Sequence, residues 1–247
     1  MQTRWKLMLL SPLIVYFSFL IAAGAETAET DVLADEALVF RGIAFERYRI
    51  PEILKELGVK KTADYTITNL TPALTPENQF RLDKLPPINP KKARKYIIMA
   101  DFPLNTGVMP DIAQKSIIKD VRRGATLVIL GGLFTLNKGE FSQTPFASLL
   151  PVKTENPWAV KKLENPLETP GGAVVYLHDI PLVDDAEIIY KSNNQPLWIA
   201  GKCEKGRIIV FLGIPSGTAG TATALFWKNP AWAKFAADMI KKGADAK

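Results

Sequence analysis

The chain has 247 residues, 47% of them apolar and 23% charged, with 31 basic against 25 acidic side chains. That balance is ordinary for a globular protein and excludes disordered, collagen-like and coiled-coil classes. One cysteine, Cys203, rules out an intrachain disulfide and a cysteine-based zinc cluster, and one histidine, His178, rules out metal sites that need two imidazoles.

Arg4 and Lys6 precede an uncharged run from Leu7 to Ala25 that ends in Ala23-Gly24-Ala25. A basic start, an apolar middle and a small-x-small site predict a signal peptide over 1–25. An uncleaved anchor is the competing reading, because a run of this length can span a bilayer; Pro12 and the Ala-Gly-Ala site favour cleavage. The expectation is an exported protein, periplasmic or extracellular. Residues 26–35 read as a flexible lead-in, and 36–243 as one domain.

A short buried strand is predicted at Ala37–Phe40. A helix at Pro51–Leu57 follows from Ile50, Ile53, Leu54 and Leu57 at i, i+3, i+4, i+7, with Gly58 beyond its end. Asp64–Thr68 alternates as a strand, and residues 71–94 read as a long surface connection. Lys95–Ala100 and Ala125–Leu130 are apolar strands flanking a helix from Asp111, its expected cap, to Val121, with Gly124 as the stop. This βαβ pattern with continuously apolar strands predicts a parallel sheet covered on both faces.

Residues 155–195, broken by Pro157, Pro166, Pro170 and Pro181, read as an irregular, partly antiparallel insertion. Pro196–Gly201 and Gly206–Gly213 form a hairpin around Lys202–Lys205, and Gly213–Thr223 is a loop. A final helix is predicted from the Asn229 cap, with Trp232, Phe235, Ala236, Met239 and Ile240 on one face and Gly243 ending it.

The stretches YIIMADFP, KDVRRGATLVILGGLFTLNKGEFSQTPFASLLPV and PLWIAGKCEKGRIIVFLG, with the tryptophan-rich final helix, resemble glutamine-amidotransferase-like (class I) domains of bacterial envelope proteins. The resemblance implies an α/β fold: an open, mostly parallel flavodoxin-like sheet with helices on both faces, joined here by the hairpin and the insertion. Ligands of such sheets bind outside the carboxyl ends of the strands. Those ends offer Arg41, Asp101, Gly131, Gly132, Phe134, Thr135 and Ser216 as ligand-binding candidates.

The catalytic triad of an amidotransferase is not legible. Gly131–Thr135 stands where the nucleophile elbow belongs and holds no thiol, while Cys203 falls in the hairpin. His178 and Asp179 are neighbours on a strand and point to opposite faces. Gly213–Gly217 misses the Gly-x-Ser-x-Gly elbow by one position. Asp101 reads either as a ligand-holding carboxylate or as the cap of a turn. Basic doublets such as Arg122-Arg123 and Lys241-Lys242 fall at element ends, the pattern of a solvated surface, and nucleic acid is not an expected partner.

The expectation is a non-catalytic module that binds a ligand or protein partner of the cell envelope. Its alternative is a hydrolase or accessory protein acting on carbohydrate. No cofactor and no metal are expected, and contact with a membrane only through an uncleaved leader.

Overall fold

The computed structural model describes residues 32–69, 80–104, 107–156, 159–218 and 223–246. The leader, most of the lead-in, Trp158 and residues 219–222 of the expected loop lie outside the described residues.

The elements in chain order are β1 (Val32–Arg41), α1 (Ile50–Glu56), β2 (Lys61–Asn69), β3 (Phe80–Leu82), β4 (Ala93–Ala100), α2 (Asp111–Arg122) and β5 (Thr126–Leu130). They continue with β6 (Val160–Leu167), β7 (Val174–His178), β8 (Glu187–Ser192), β9 (Gln195–Cys203), β10 (Gly206–Phe211), β11 (Gly213–Ile214) and α3 (Trp232–Asp245).

Eight strands form one sheet in the order β3-β2-β1-β4-β5-β10-β9-β8. Its centre, β2 through β10, is parallel throughout. Antiparallel strands close both margins, β3 beside β2 on one side and β9 with β8 on the other. The expected parallel α/β sheet is therefore present, in mixed form. Val39, Ile98, Val128 and Ile209 face α1 and α3, while Leu38, Ile97, Leu127 and Ile208 face the side of α2. Both faces are covered, which is why the central strands carry runs of consecutive apolar residues rather than alternate ones.

Several expectations need correction. β1 begins at Val32, so residues 32–35 are strand rather than lead-in: Val32 and Leu33 pair with Ala93 and Arg94 of β4. The 71–94 connection contains β3, because Phe80 and Leu82 alternate with Arg81 and pair with the end of β2. The insertion at 155–195 is more regular than expected. β6 and β7 join β11 in a separate antiparallel sheet, and β8 extends the main one.

Helix ends also differ. Pro110, not Asp111, occupies the cap of α2, and Asp111 contributes its charge in the first turn, where the helix dipole favours an anion. α3 starts after Ala231, whose amide donates to Asn229 Oδ1 at 2.9 Å, so Asn229 shapes the preceding turn instead of capping the helix. Gly243 lies inside α3. A Cβ there would come within 2.8 Å of Ile209 Cδ1, so the bare glycine lets the helix settle onto β10. Beneath α3, Trp198, Phe211, Phe226 and Trp232 pack ring to ring, and the Trp232 indole donates to the Tyr48 carbonyl at 2.9 Å. Among the described residues no helix is long and apolar enough to cross a membrane.

Candidate functional site

β1 is the strand at which the chain reverses direction across the sheet. From β1 it moves to β2 on one side, then returns to place β4 on the other. In a parallel sheet this leaves a crevice at the carboxyl ends of the two strands on either side of the reversal. Gly42 and Ile43 leave β1 there, and Asp101 ends β4.

A cavity of about 410 Å³ opens at this edge, lined by Gly42, Ile43, Phe45, Thr66, Ile67, Phe80 and Phe134. Its wall is apolar and aromatic, and Thr66 supplies the one polar side chain of that lining. Phe80 and Phe134 meet edge to face at 5.6 Å, and Lys138 lies 4.6 Å above the Phe134 ring. On the far side of Phe45, the Arg41 guanidinium stands 5.1 Å over that ring and pairs with Asp64 at 2.8 Å. A neighbouring hollow of about 250 Å³ borders Arg41, Phe45 and the first turn of α1.

Asp101 organises the floor. Its side chain is 1% exposed and its backbone lies in the left-handed region at φ 46°. One carboxylate oxygen accepts from the Phe134 amide at 2.8 Å, and the other from the Ala44 amide at 3.0 Å. Its backbone N–H donates to Leu130 at 3.1 Å, and its carbonyl accepts from Ile43 at 3.2 Å. Gly42 and Gly132 make room for it. A Cβ at Gly132 would fall 2.2 Å from Asp101 Oδ1, and one at Gly42 would fall 1.7 Å from the Asp101 carbonyl oxygen. Asp101 is thus a turn-former whose oxygens are committed to backbone, and a ligand arriving from solvent meets the rings first. Burial raises its carboxyl to about 6, against the pull of the Phe134 and Ala44 amides and of the Arg47 and Lys138 cations.

The other candidates separate into two groups. Gly132 and Phe134 meet Asp101 at this edge and Phe134 lines the cavity, whereas Arg41 borders the neighbouring hollow. Gly131 is buried against β10, its amide donating to the Phe211 carbonyl at 2.9 Å. Thr135 is fully buried beneath the loop, and its hydroxyl has no partner among the described residues. Ser216 is exposed on the segment after β11, where the Arg47 guanidinium donates to the Pro215 carbonyl.

Asp101, His178 and Ser216 do not form a hydrogen-bonded cluster. His178 is fully buried and its Nε2 faces the Gly132 carbonyl at 2.9 Å; burial lowers its pKa to about 4, so the ring is neutral near pH 7. Asp179 points the other way, to Lys161 at 3.5 Å. Cys203 is buried at the end of β9, far along the chain from the Gly131–Thr135 elbow, and burial pushes its thiol up. Among the described residues no group of three His, Cys, Asp or Glu side chains is placed to hold a metal.

Ile43, Phe45, Thr66, Ile67 and Phe80 carry no site signal in the sequence. The end of β2 was within reach, since Asp64–Thr68 already reads as a strand beside the parallel unit. Phe80 shows only the short alternation Phe80-Arg81-Leu82.

No family model and no curated protein matches this chain. Solved structures do. One is the cytoplasmic protein STM1381 from Salmonella typhimurium LT2, 14% identical, covering 84% of this chain and 99% of its own, with a TM-score of 0.57. A second is the cytoplasmic protein STM3548 from Salmonella typhimurium, 16% identical, with coverages of 84% and 98% and a TM-score of 0.51. A third is a ThuA-like protein from Parabacteroides merdae, 10% identical, with coverages of 86% and 90% and a TM-score of 0.53.

The expectation of an exported, periplasmic or extracellular protein is corrected here: two of these similar structures are cytoplasmic proteins, and export is not carried further. The likeness concerns the fold alone, a mixed α/β architecture that this chain shares with these structures.

Proposed function

We propose that this chain is a non-catalytic binding module that takes a small ligand with an apolar or aromatic face in the cavity at the carboxyl ends of β1 and β2. The order of the parallel strands, β2-β1-β4-β5-β10, supports a flavodoxin-like reading, and the reversal between β1 and β4 is where such sheets take ligands. The single observation that carries the reading is the cavity of about 410 Å³, with Phe45, Phe80 and Phe134 in its wall. A pocket of this size and lining suits a small molecule held by ring contacts and oriented by few polar groups. The missing chemistry supports the same reading. Nucleophilic catalysis needs a nucleophile beside a base; here the thiol is buried elsewhere, the imidazole is fully buried with its Nε2 on a backbone carbonyl, and Ser216 is exposed on a separate segment.

Carbohydrate remains the second reading, on one observation: half-buried ring faces at Phe45 and Phe134 beside the Thr66 hydroxyl offer stacking and a hydrogen bond to a sugar. The test is ligand-observed NMR against mono- and oligosaccharides and aromatic acids, with 1-anilinonaphthalene-8-sulfonate as fluorescent competitor. Phe134→Ala and Phe45→Ala are expected to weaken the competitor at least about tenfold, the scale on which interface aromatics act, while Cys203→Ser leaves it unchanged. Equal affinity in all three variants would place the binding elsewhere. Turnover of glutamine or of a glycoside by the purified chain would overturn the non-catalytic reading.

A further inference from the structure

Phe45 and Phe134 each form part of the cavity wall, on segments far apart in sequence. One backbone amide from each segment ends on the same side chain. Ala44, next to Phe45, donates to one Asp101 oxygen and Phe134 itself to the other, at 3.0 and 2.8 Å. The bond from Ile43 to the Asp101 carbonyl, 3.2 Å, anchors the first wall again one residue earlier. Gly132, which would otherwise fill the space, has no side chain to keep the carboxylate out.

We propose that Asp101 is a positioning residue that latches this cavity: its carboxylate, by accepting from both segments, sets the spacing of the Phe45 and Phe134 walls to the ligand. The inference rests on the binding reading given above. An ionised carboxylate offers both oxygens as strong acceptors to amide donors, whereas a protonated one keeps a single strong acceptor. One wall then loses its charge-assisted bond.

The groups that face Asp101 are few. Arg47, on the segment between β1 and α1, and Lys138, after β5, favour the ionised form. Tyr48 is fully buried nearby; burial and then the charge of Asp101 hold its phenol well above the ordinary range, so it stays protonated. His178, behind Gly132, is neutral down to about pH 4. Burial opposes the cations and brings the carboxyl to about 6, inside the range where small changes in pH shift its charge.

The experiment follows the Ala44 and Phe134 amides of the ¹⁵N-labelled full chain by NMR from pH 4.5 to 8, with 1-anilinonaphthalene-8-sulfonate affinity measured in parallel. Both amide resonances are expected to titrate with one shared midpoint near 6. Asp101→Asn, which keeps one acceptor oxygen and turns the other group into a donor, is expected to weaken the probe about tenfold at pH 7.5, and unchanged affinity in that variant overturns the latch. Asp101→Asn abolishes the shared titration, and Lys138→Gln raises its midpoint by removing a cation; Asp120→Asn, whose carboxyl also lies near 6, leaves it in place. Should Asp101→Asn fail to fold, the wild-type and Lys138→Gln titrations decide alone. Amides that stay still across this range overturn the latch, even if the probe binds. Amides that titrate while the probe binds at no pH leave the hold on both walls standing and overturn the binding reading.

Discussion

Substituting Gly42 by alanine tests how the switch-point edge is built. The new Cβ would lie 1.7 Å from the Asp101 carbonyl oxygen, 2.2 Å from its carbon and 2.7 Å from the Ala100 oxygen. All three atoms are backbone, so no side chain can swing aside. Non-bonded heavy atoms settle near 3.5 Å, so the end of β4 must retreat by roughly 1.5 Å or more. That movement breaks the bonds from Gly42 to Ala100 and from Ile43 to Asp101, now 2.9 and 3.2 Å. Each is worth about 1 kcal/mol, and leaving buried backbone groups unpaired adds about 1–3 kcal/mol, for a loss of about 3–5 kcal/mol. This is a large share of the ~5–15 kcal/mol that holds a domain together.

Gly58→Ala is the control. Gly58 has φ +75° and nothing within 4 Å of the position a Cβ would take, so the substitution costs only backbone conformation, about 1–2 kcal/mol. Urea unfolding of both variants, with the slope compared to wild type, gives the answer. If Gly42→Ala loses no more stability than Gly58→Ala at an unchanged slope, the close approach of β1 and β4 is not what this edge depends on.

The pH profile of stability should contain two opposed contributions. His178, lowered to about 4, stabilises fully above its unfolded value of 6.5 and loses about 3 kcal/mol as pH falls through that window. Asp101 and Asp120, both raised to about 6, act the other way: their share is fully present below the unfolded value of 3.8 and is lost as pH rises through 6. His178→Leu should therefore steepen the gain in stability from pH 6 to pH 4, read by thermal melts; a steeper acid loss in that variant would refute the assignment. Arg207 is 8% exposed and donates to the Gly243 carbonyl at 3.1 Å and to Glu187 at 2.8 Å. Arg207→Met should cost about 1–3 kcal/mol in urea unfolding by orphaning the end of α3, and more than Glu187→Gln, whose carboxylate is half exposed. Cys203, buried and with its thiol pushed up, should react with a disulfide reagent about a hundredfold more slowly in the native state than in urea. Equal rates would mean that the end of β9 opens readily.

The central architecture was legible because its signals are local. KYIIMA and ATLVIL are apolar at consecutive positions, and only a strand covered on both faces uses such a run. The spacing of Ile50, Ile53 and Leu54 marks a helical face whatever it packs against, and those three residues are buried in α1. Gly131 and Gly132 were legible as the end of β5, but what they admit was not: a Cβ at Gly131 would meet the Phe211 carbonyl and one at Gly132 the Asp101 side chain.

What the sequence could not carry are relations between distant segments. Gly243 looks like a helix stop until Ile209 is seen beneath it. Asn229 looks like a cap until its oxygen is found serving the turn before α3. Phe80, short of neighbours in its own stretch, becomes a wall of the cavity only by pairing with β2 and meeting Phe134. Asp101 is the sharpest case. A carboxylate after a strand fits a ligand holder and a turn-former equally well by residue type, and the choice depends on where the amides of Ala44 and Phe134 end up. Periodicity along the chain determined which segments are strands and helices, since a residue's burial pattern repeats with its own local geometry. Only the tertiary structure decided which polar groups are spent on the fold and which surface is left for a ligand, because hydrogen bonds and close packing join residues by distance in space.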